Sequence, residues 1–157
     1  MRLAEVRVET LEIPFRRPLV SGAERWDRVR AGIVLLVTDD GHRALGEFPA
    51  PRPDDLGEDV SPRLVSTLRG LELADPVSVE GSLRDIDAWP FVGRAARSAV
   101  ESALVDLMAQ INRRPVSTFL HAGAATSVAL NATLGIDEPA ATAAAAAAAV
   151  VAGFGAL

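Results

Sequence analysis

Apolar and charged residues alternate over residues 3–13, with Val6 and Val8 on one face and Arg7 and Glu9 on the other. That period of two predicts a β-strand with one buried face. A denser apolar run over 31–38 (AGIVLLVT) predicts a second strand. It ends at Asp39-Asp40-Gly41, a hairpin turn signal, so that 42–48 can return as a third strand. Residues 14–27 then read as a long connection between the first two strands of an antiparallel meander.

The period changes after a proline- and acid-rich loop at 49–59 (PAPRPDDLGED). Leu64, Val65, Leu68 and Leu71 predict a helix over 62–71. A longer helix is predicted over 93–112, where Ala96, Ala99, Val100, Ala103, Leu104, Leu107, Met108 and Ile111 form one apolar stripe. Arg113-Arg114 suit a helix C-terminus and Pro115 prevents continuation, with one more helical turn over 116–120. Beyond Gly123 nearly all charge disappears. Residues 128–134 (VALNATL) read as a strand, and 137–152 as an alanine helix with Asp137 as N-cap, Pro139 in its first turn and Gly153 as C-cap. Ala156-Leu157 would open another strand, so the pattern stops inside a βαβ unit. The expected organisation is an α+β domain over 1–123, then the opening of a βα repeat over 124–157.

Composition narrows the classes. The chain has 157 residues, 49% hydrophobic and 24% charged, a globular balance. A formal charge of −5 argues against nucleic acid or an anionic membrane as partner. The absence of cysteine excludes disulfides and thiolate metal sites within the chain. The N-terminus lacks the apolar core of a signal peptide, and the apolar run over 140–152 is too short and alanine-rich to span a bilayer. A cytoplasmic location is expected.

The order of segments resembles the enolase superfamily, in which an α+β capping domain precedes a (β/α) barrel. Residues 13–19 (IPFRRPL) resemble the start of that family's first specificity loop, and Thr38-Asp39-Asp40-Gly41 with Leu45-Gly46-Glu47 resembles its "TDDG…GWGE" hairpin. Residues 97–109 (RSAVESALVDLMA) with 113–116 (RRPV) resemble its "ARAALEMALWDLLGK…GKPL" helix, and 131–135 (NATLG) a first barrel strand of the mandelate racemase/muconate lactonizing enzyme branch. Two departures stand out: Leu45 where the family usually has Trp, and Gln110-Ile111-Asn112 in place of small residues. Within the branch the chain looks most like o-succinylbenzoate synthase, with dipeptide epimerase and muconate cycloisomerase as alternatives.

The resemblance implies the N-terminal part of a truncated barrel enzyme. The parent would be a Mg²⁺-assisted lyase that abstracts a proton next to a carboxylate and then loses water, in menaquinone biosynthesis. Its substrate would be a small carboxylate, and a homo-oligomer is compatible with it. The family's catalytic lysines and acidic metal ligands lie beyond residue 157, so this chain alone is expected to be inactive and to bind no Mg²⁺. A non-catalytic α+β interaction module is the rival from another class.

The candidate substrate-contacting residues follow from the resemblance. Ser21 and Gly22 lie in the first specificity loop, and Phe48 and Pro49 begin the second. Asn131 and Thr133 approach the C-terminal end of a barrel strand, where barrel active sites are built; they equally suit hydrogen-bonded residues at a barrel start. Glu47 is read as a structural acceptor, since a lone carboxylate is weak evidence for acid catalysis. His42 reads as solvated and His121 as a helix-end residue, too far apart for a zinc site. Asp54-Asp55 and Glu58-Asp59 read as a solvated acidic loop.

Overall fold

The computed structural model describes residues 1–50, 61–89 and 93–156. Three strands, β1 (Leu3–Ser21), β2 (Glu24–Thr38) and β3 (Arg43–Ala50), form one antiparallel sheet in that order. Five helices follow: α1 (Ser61–Leu68), α2 (Pro76–Asp87), α3 (Gly93–Ile111), α4 (Val116–Leu120) and α5 (Pro139–Val151). The chain divides into two compact units, Met1–Ile13 with Val29–Gly123, and Pro14–Arg28 with Ala124–Leu157.

The first unit is a sheet covered by helices. In the β2–β3 ladder Gly32 pairs with Phe48, Val34 with Gly46 and Leu36 with Ala44. These six residues share one face and are buried. The register leaves two notches in that face. A Cβ on Gly32 would lie 2.1 Å from the Phe48 ring, and one on Gly46 would lie 1.8 Å from the Ala99 carbonyl oxygen. Only glycine admits such close approach. Helix α3 fits because its facing residues Ala96, Ala99 and Ala103 are small and fully buried, with Val100 and Leu107 filling the space beside them. Leu64, Leu68, Leu83 and Ile86 from α1 and α2 complete the core. At the far end of α3, Gln110 Nε2 donates to the Arg43 carbonyl at 2.8 Å and ties helix to sheet.

Four elements differ from expectation. The connection expected over 14–27 is instead a continuation of the hairpin: β1 runs to Ser21, and β2 restarts at Glu24 after a turn at Gly22. Pro14 and Pro18 are tolerated because β1 is an edge strand, whose outward N–H groups need no ladder partner. Helix α1 ends at Leu68 rather than residue 71. Gly70 turns the chain at φ 82°, and the segment beyond it pairs with the N-terminus: Leu3 N–H donates to the Leu71 carbonyl at 3.0 Å and Leu73 N–H to that of Met1 at 3.1 Å.

Helix α2 has no counterpart in the sequence reading, although its signals are present. Asp75 caps it, accepting from Val77 N–H at 3.0 Å, Pro76 opens it, and Val79, Leu83 and Ile86 recur at helical spacing. Finally, the extended segment 128–134 is not a strand. A strand is defined by its ladder, and the backbone bond reaching this segment among the described residues runs from Ala132 N–H to the Ala156 carbonyl at 3.0 Å.

The second unit therefore consists of the hairpin tip, the extended segment and α5. The N-cap of α5 is Glu138, not Asp137, and it makes no side-chain cap bond; Asp137 Oδ1 instead accepts from Glu138 N–H at 2.8 Å. The C-terminus closes as a Schellman motif. Gly153 sits at φ 94°, its N–H donates to the Val150 carbonyl at 3.0 Å, and Phe154 N–H donates to that of Ala149 at 3.1 Å. Leu157 and the 51–59 part of the acidic loop, with Asp54, Asp55, Glu58 and Asp59, lie outside the described residues.

Candidate functional site

One candidate site with a cavity lies in the second unit, and local chain geometry builds it. The hairpin turns at Gly22, whose φ of 59° suits glycine, while a Cβ there would meet open space. Behind the turn, Val20 accepts a backbone hydrogen bond from Ile136 N–H at 2.9 Å. Gly135 lies flush against the same stretch, its ideal Cβ position 3.6 Å from both Leu19 Cδ1 and the Val20 oxygen. These contacts hold residues 133–137 against the hairpin, and the first turns of α5 close the third side. The resulting open cleft has a volume of about 530 Å³.

Apolar walls come from Phe15, Leu19, Leu134 and Ile136, with Ala141 and Ala145 from α5. The charged groups on the lining are Arg17, Arg25 and Asp137, and the hydroxyls are those of Thr133 and Thr142. Arg25 is engaged with Asp27, Nε to Oδ1 at 3.4 Å, both side chains being well exposed.

Of the six candidate contact residues, Thr133 alone lines this cavity. Asn131 is exposed two residues away, and Ser21 and Gly22 sit at the hairpin turn without joining the lining. Phe48 is placed elsewhere: it is 2% exposed in the core of the first unit, packed against Gly32. Pro49 continues β3 opposite Ala31. The sequence reading passed over Arg17, Arg25 and Ile136. The missed signal was the hairpin itself, since a strand through 14–21 brings alternate residues to one face, whereas a loop assigns no face.

The titrating groups with shifted pKa values are structural. The Thr38 hydroxyl, then the His42 ring, hold the Asp40 carboxyl below its usual range, with His42 Nδ1 3.1 Å from Oδ1. His42 is therefore paired within the β2–β3 turn rather than simply solvated. The Ser78 hydroxyl and the Val77 N–H likewise lower Asp75. Glu101, bonded to Arg97 at 2.9 Å, raises the Arg97 guanidinium.

Among the described residues no three His, Asp or Glu side chains converge. All 16 of the chain's Lys/Arg positions are arginine, so no lysine base exists on it. No helix among the described residues is long and apolar enough to cross a membrane.

No protein-family model matches this chain, and no curated protein matches it. Solved structures do. The L-Ala-D/L-Glu epimerase from Bacillus subtilis, solved with substrate, superposes with a TM-score of 0.83 at 24% identity, over 98% of this chain and 44% of that one. The dipeptide epimerase from Enterococcus faecalis V583, complexed with Mg and L-Leu-L-Tyr, gives 0.79 at 27% identity, again over 98% and 44%. The 2-chloromuconate cycloisomerase from Rhodococcus opacus 1CP gives 0.80 at 20% identity, over 99% and 44%.

The chain thus spans less than half the length of these structures. They are enzymes of the mandelate racemase/muconate lactonizing branch of the enolase superfamily. The antiparallel sheet and helices match the N-terminal capping domain of enolase-superfamily enzymes. They do not single out o-succinylbenzoate synthesis within the branch.

Proposed function

We propose that this chain is the substrate-selecting part of a mandelate racemase/muconate lactonizing branch enzyme: the capping domain, over 1–123, and the first βα unit of its barrel, over 124–157. The observation that carries the reading is the structural match over 98% of this chain to a dipeptide epimerase of which it covers 44%. The parent reaction is proton abstraction next to a carboxylate of a small substrate, with Mg²⁺ and a lysine base supplied by polypeptide other than residues 1–157. Dipeptide epimerisation is the better supported reaction, because three matching structures above 25% identity are dipeptide epimerases. Dehydration to o-succinylbenzoate is the second reading and rests on the motifs at 13–19, 38–47 and 97–116.

Physical chemistry agrees with an incomplete second unit. Val128, Leu130, Ile136, Val150 and Val151 are between 60% and 90% exposed, more apolar surface than a finished barrel start would leave to water. The purified 157-residue chain, given Mg²⁺, should neither epimerise L-Ala-L-Glu nor form o-succinylbenzoate above a mock preparation. Turnover of either would overturn the reading. Reading the gene past codon 157 provides the complementary check: a Lys-x-Lys followed by strands ending in acidic residues supports it, and its absence in every frame counts against it.

A further inference from the structure

We propose that the outer face of the first unit's sheet is a self-complementary surface through which two copies of this chain associate about a twofold axis. This goes beyond the proposed function and is tested without reference to activity.

The ladder defines the face. Val34, Leu36, Ala44 and Phe48 point to the side of the sheet that the helices cover. Side chains alternate across a strand, so Ile33, Leu35 and Val37 on β2 and Arg43, Leu45 and Glu47 on β3 stand on the opposite side. None of these six is buried, and Leu45 is 58% exposed beside its ladder partner Leu35. At the far side Arg7, pointing away from Val6 and Val8, pairs with Glu5 and ends the face in a polar rim.

The order of groups on this face matches its own reverse. Along β3 a cation, an apolar residue and an anion follow one another, and the neighbouring β2 row is apolar throughout. The register sets Val37 beside Arg43, Leu35 beside Leu45 and Ile33 beside Glu47. Consider a second copy laid face to face, with the twofold axis running across the strands over the Leu35–Leu45 pair. Leu45 then meets Leu45, Leu35 meets Leu35 and Ile33 meets Val37, as an isologous contact requires. Each Arg43 faces the partner's Glu47. Packed sheets lie roughly 10 Å apart, a gap that an arginine and a glutamate span from opposite sides. An axis along the strands would instead set Arg43 against Arg43, so the charges select one arrangement.

Both charged groups are available for this contact. Arg43 is engaged through its backbone carbonyl, which accepts from Gln110, and neither its guanidinium nor the Glu47 carboxylate has a hydrogen bond or ion pair with any described residue. A patch two strands wide is small beside the roughly 800 Å² per partner of a stable complex, so the dimer is weak and reversible.

Sedimentation velocity on the 157-residue chain, from about 10 μM to about 1 mM, should show a monomer–dimer equilibrium. Leu45→Lys sets like charges on the axis, and Arg43→Glu or Glu47→Arg sets them at both ends. Each should weaken the dimer by about tenfold or more. Mixing the Arg43→Glu and Glu47→Arg chains should restore association, because an acidic face then meets a basic one. The double exchange Arg43→Glu with Glu47→Arg should restore it within one chain, a rescue that a folding defect would not show. A monomer at about 1 mM, association unchanged by Leu45→Lys, or a mixture no better associated than either single variant would each overturn the proposal. Because Arg43, Leu45 and Glu47 are exposed, the variants should keep the parent's circular dichroism.

Discussion

The two units of this chain are built from similarly apolar sequence and end in opposite states. In the first, fifteen hydrophobic residues form one buried core, from Leu3 on β1 to Leu107 on α3. In the second, no described residue is buried, although α5 is almost entirely alanine and valine. Burial therefore follows from a complementary surface, not from composition. Helix α3 has one, because Gly46 and Gly32 open notches that its alanines and Phe48 occupy. Helix α5 has none within the described chain, and it is held by local means: strong intrinsic propensity and a Schellman cap.

Amide hydrogen exchange should expose the largest contrast. Core amides of α3 should exchange roughly a hundredfold or more slowly than those of α5, since local opening costs least where nothing is packed. Equal protection would dissolve the distinction between the units. Next in size is Gly46→Ala, which drives a methyl into the Ala99 carbonyl oxygen. That atom belongs to the backbone of a packed helix and cannot step aside, so a loss of about 3 kcal/mol or more in denaturant unfolding is expected.

Matched truncations sharpen the comparison. Leu107→Ala, at a fully buried site, should cost about 3 kcal/mol. Val128→Ala, at a site 84% exposed, should stay within about 0.5 kcal/mol. A large effect at Val128 would mean that the second unit has a core of its own. Smaller than the Leu107 effect is that of Arg113→Gly. Arg113 holds φ at 52° in the left-handed C-terminal turn of α3, so glycine there should stabilise the first unit by about 0.5–1 kcal/mol.

The smallest effect is a pH dependence. Asp75 has a carboxyl pKa lowered by the Ser78 hydroxyl and the Val77 N–H that it caps. A lowered folded-state value means that its contribution is fully present above the unfolded carboxylate pKa, about 3.9, and lost as pH falls through the folded value beneath it. The difference in Tm between the parent chain and Asp75→Ala should accordingly persist at neutral pH and shrink in acid. A gap that widened in acid would show that the cap bonds do not act through the ionised carboxylate.

Much of this architecture is legible in the residues. The alternation at Val6 and Val8, the Asp39-Asp40-Gly41 turn and the apolar stripe from Ala96 to Ile111 each specify an element through a period or a turn that needs no distant partner. Helix α2 is equally legible in Asp75-Pro76 and the Val79, Leu83, Ile86 spacing. The candidate site was read less well. Thr133 reaches the cavity, but Phe48 serves the core, and Arg17 came into view only once residues 14–21 proved to be strand. Pro14 and Pro18 looked like loop residues because proline forbids a ladder bond, a rule that an edge strand escapes.

The sequence by itself determined the order and type of the elements in the first unit, because hydrophobic period, turn chemistry and helix caps are encoded within a few neighbouring residues. The tertiary structure alone decided three things. It set how closely α3 approaches the sheet, since the Gly46 notch acquires meaning only with Ala99 above it. It set where α1 stops, because Leu71 is claimed by Leu3 across the chain. It also settled that, among the described residues, 128–134 have no ladder, since a strand is a property of two chain segments and the described backbone bond to this one comes from Ala156.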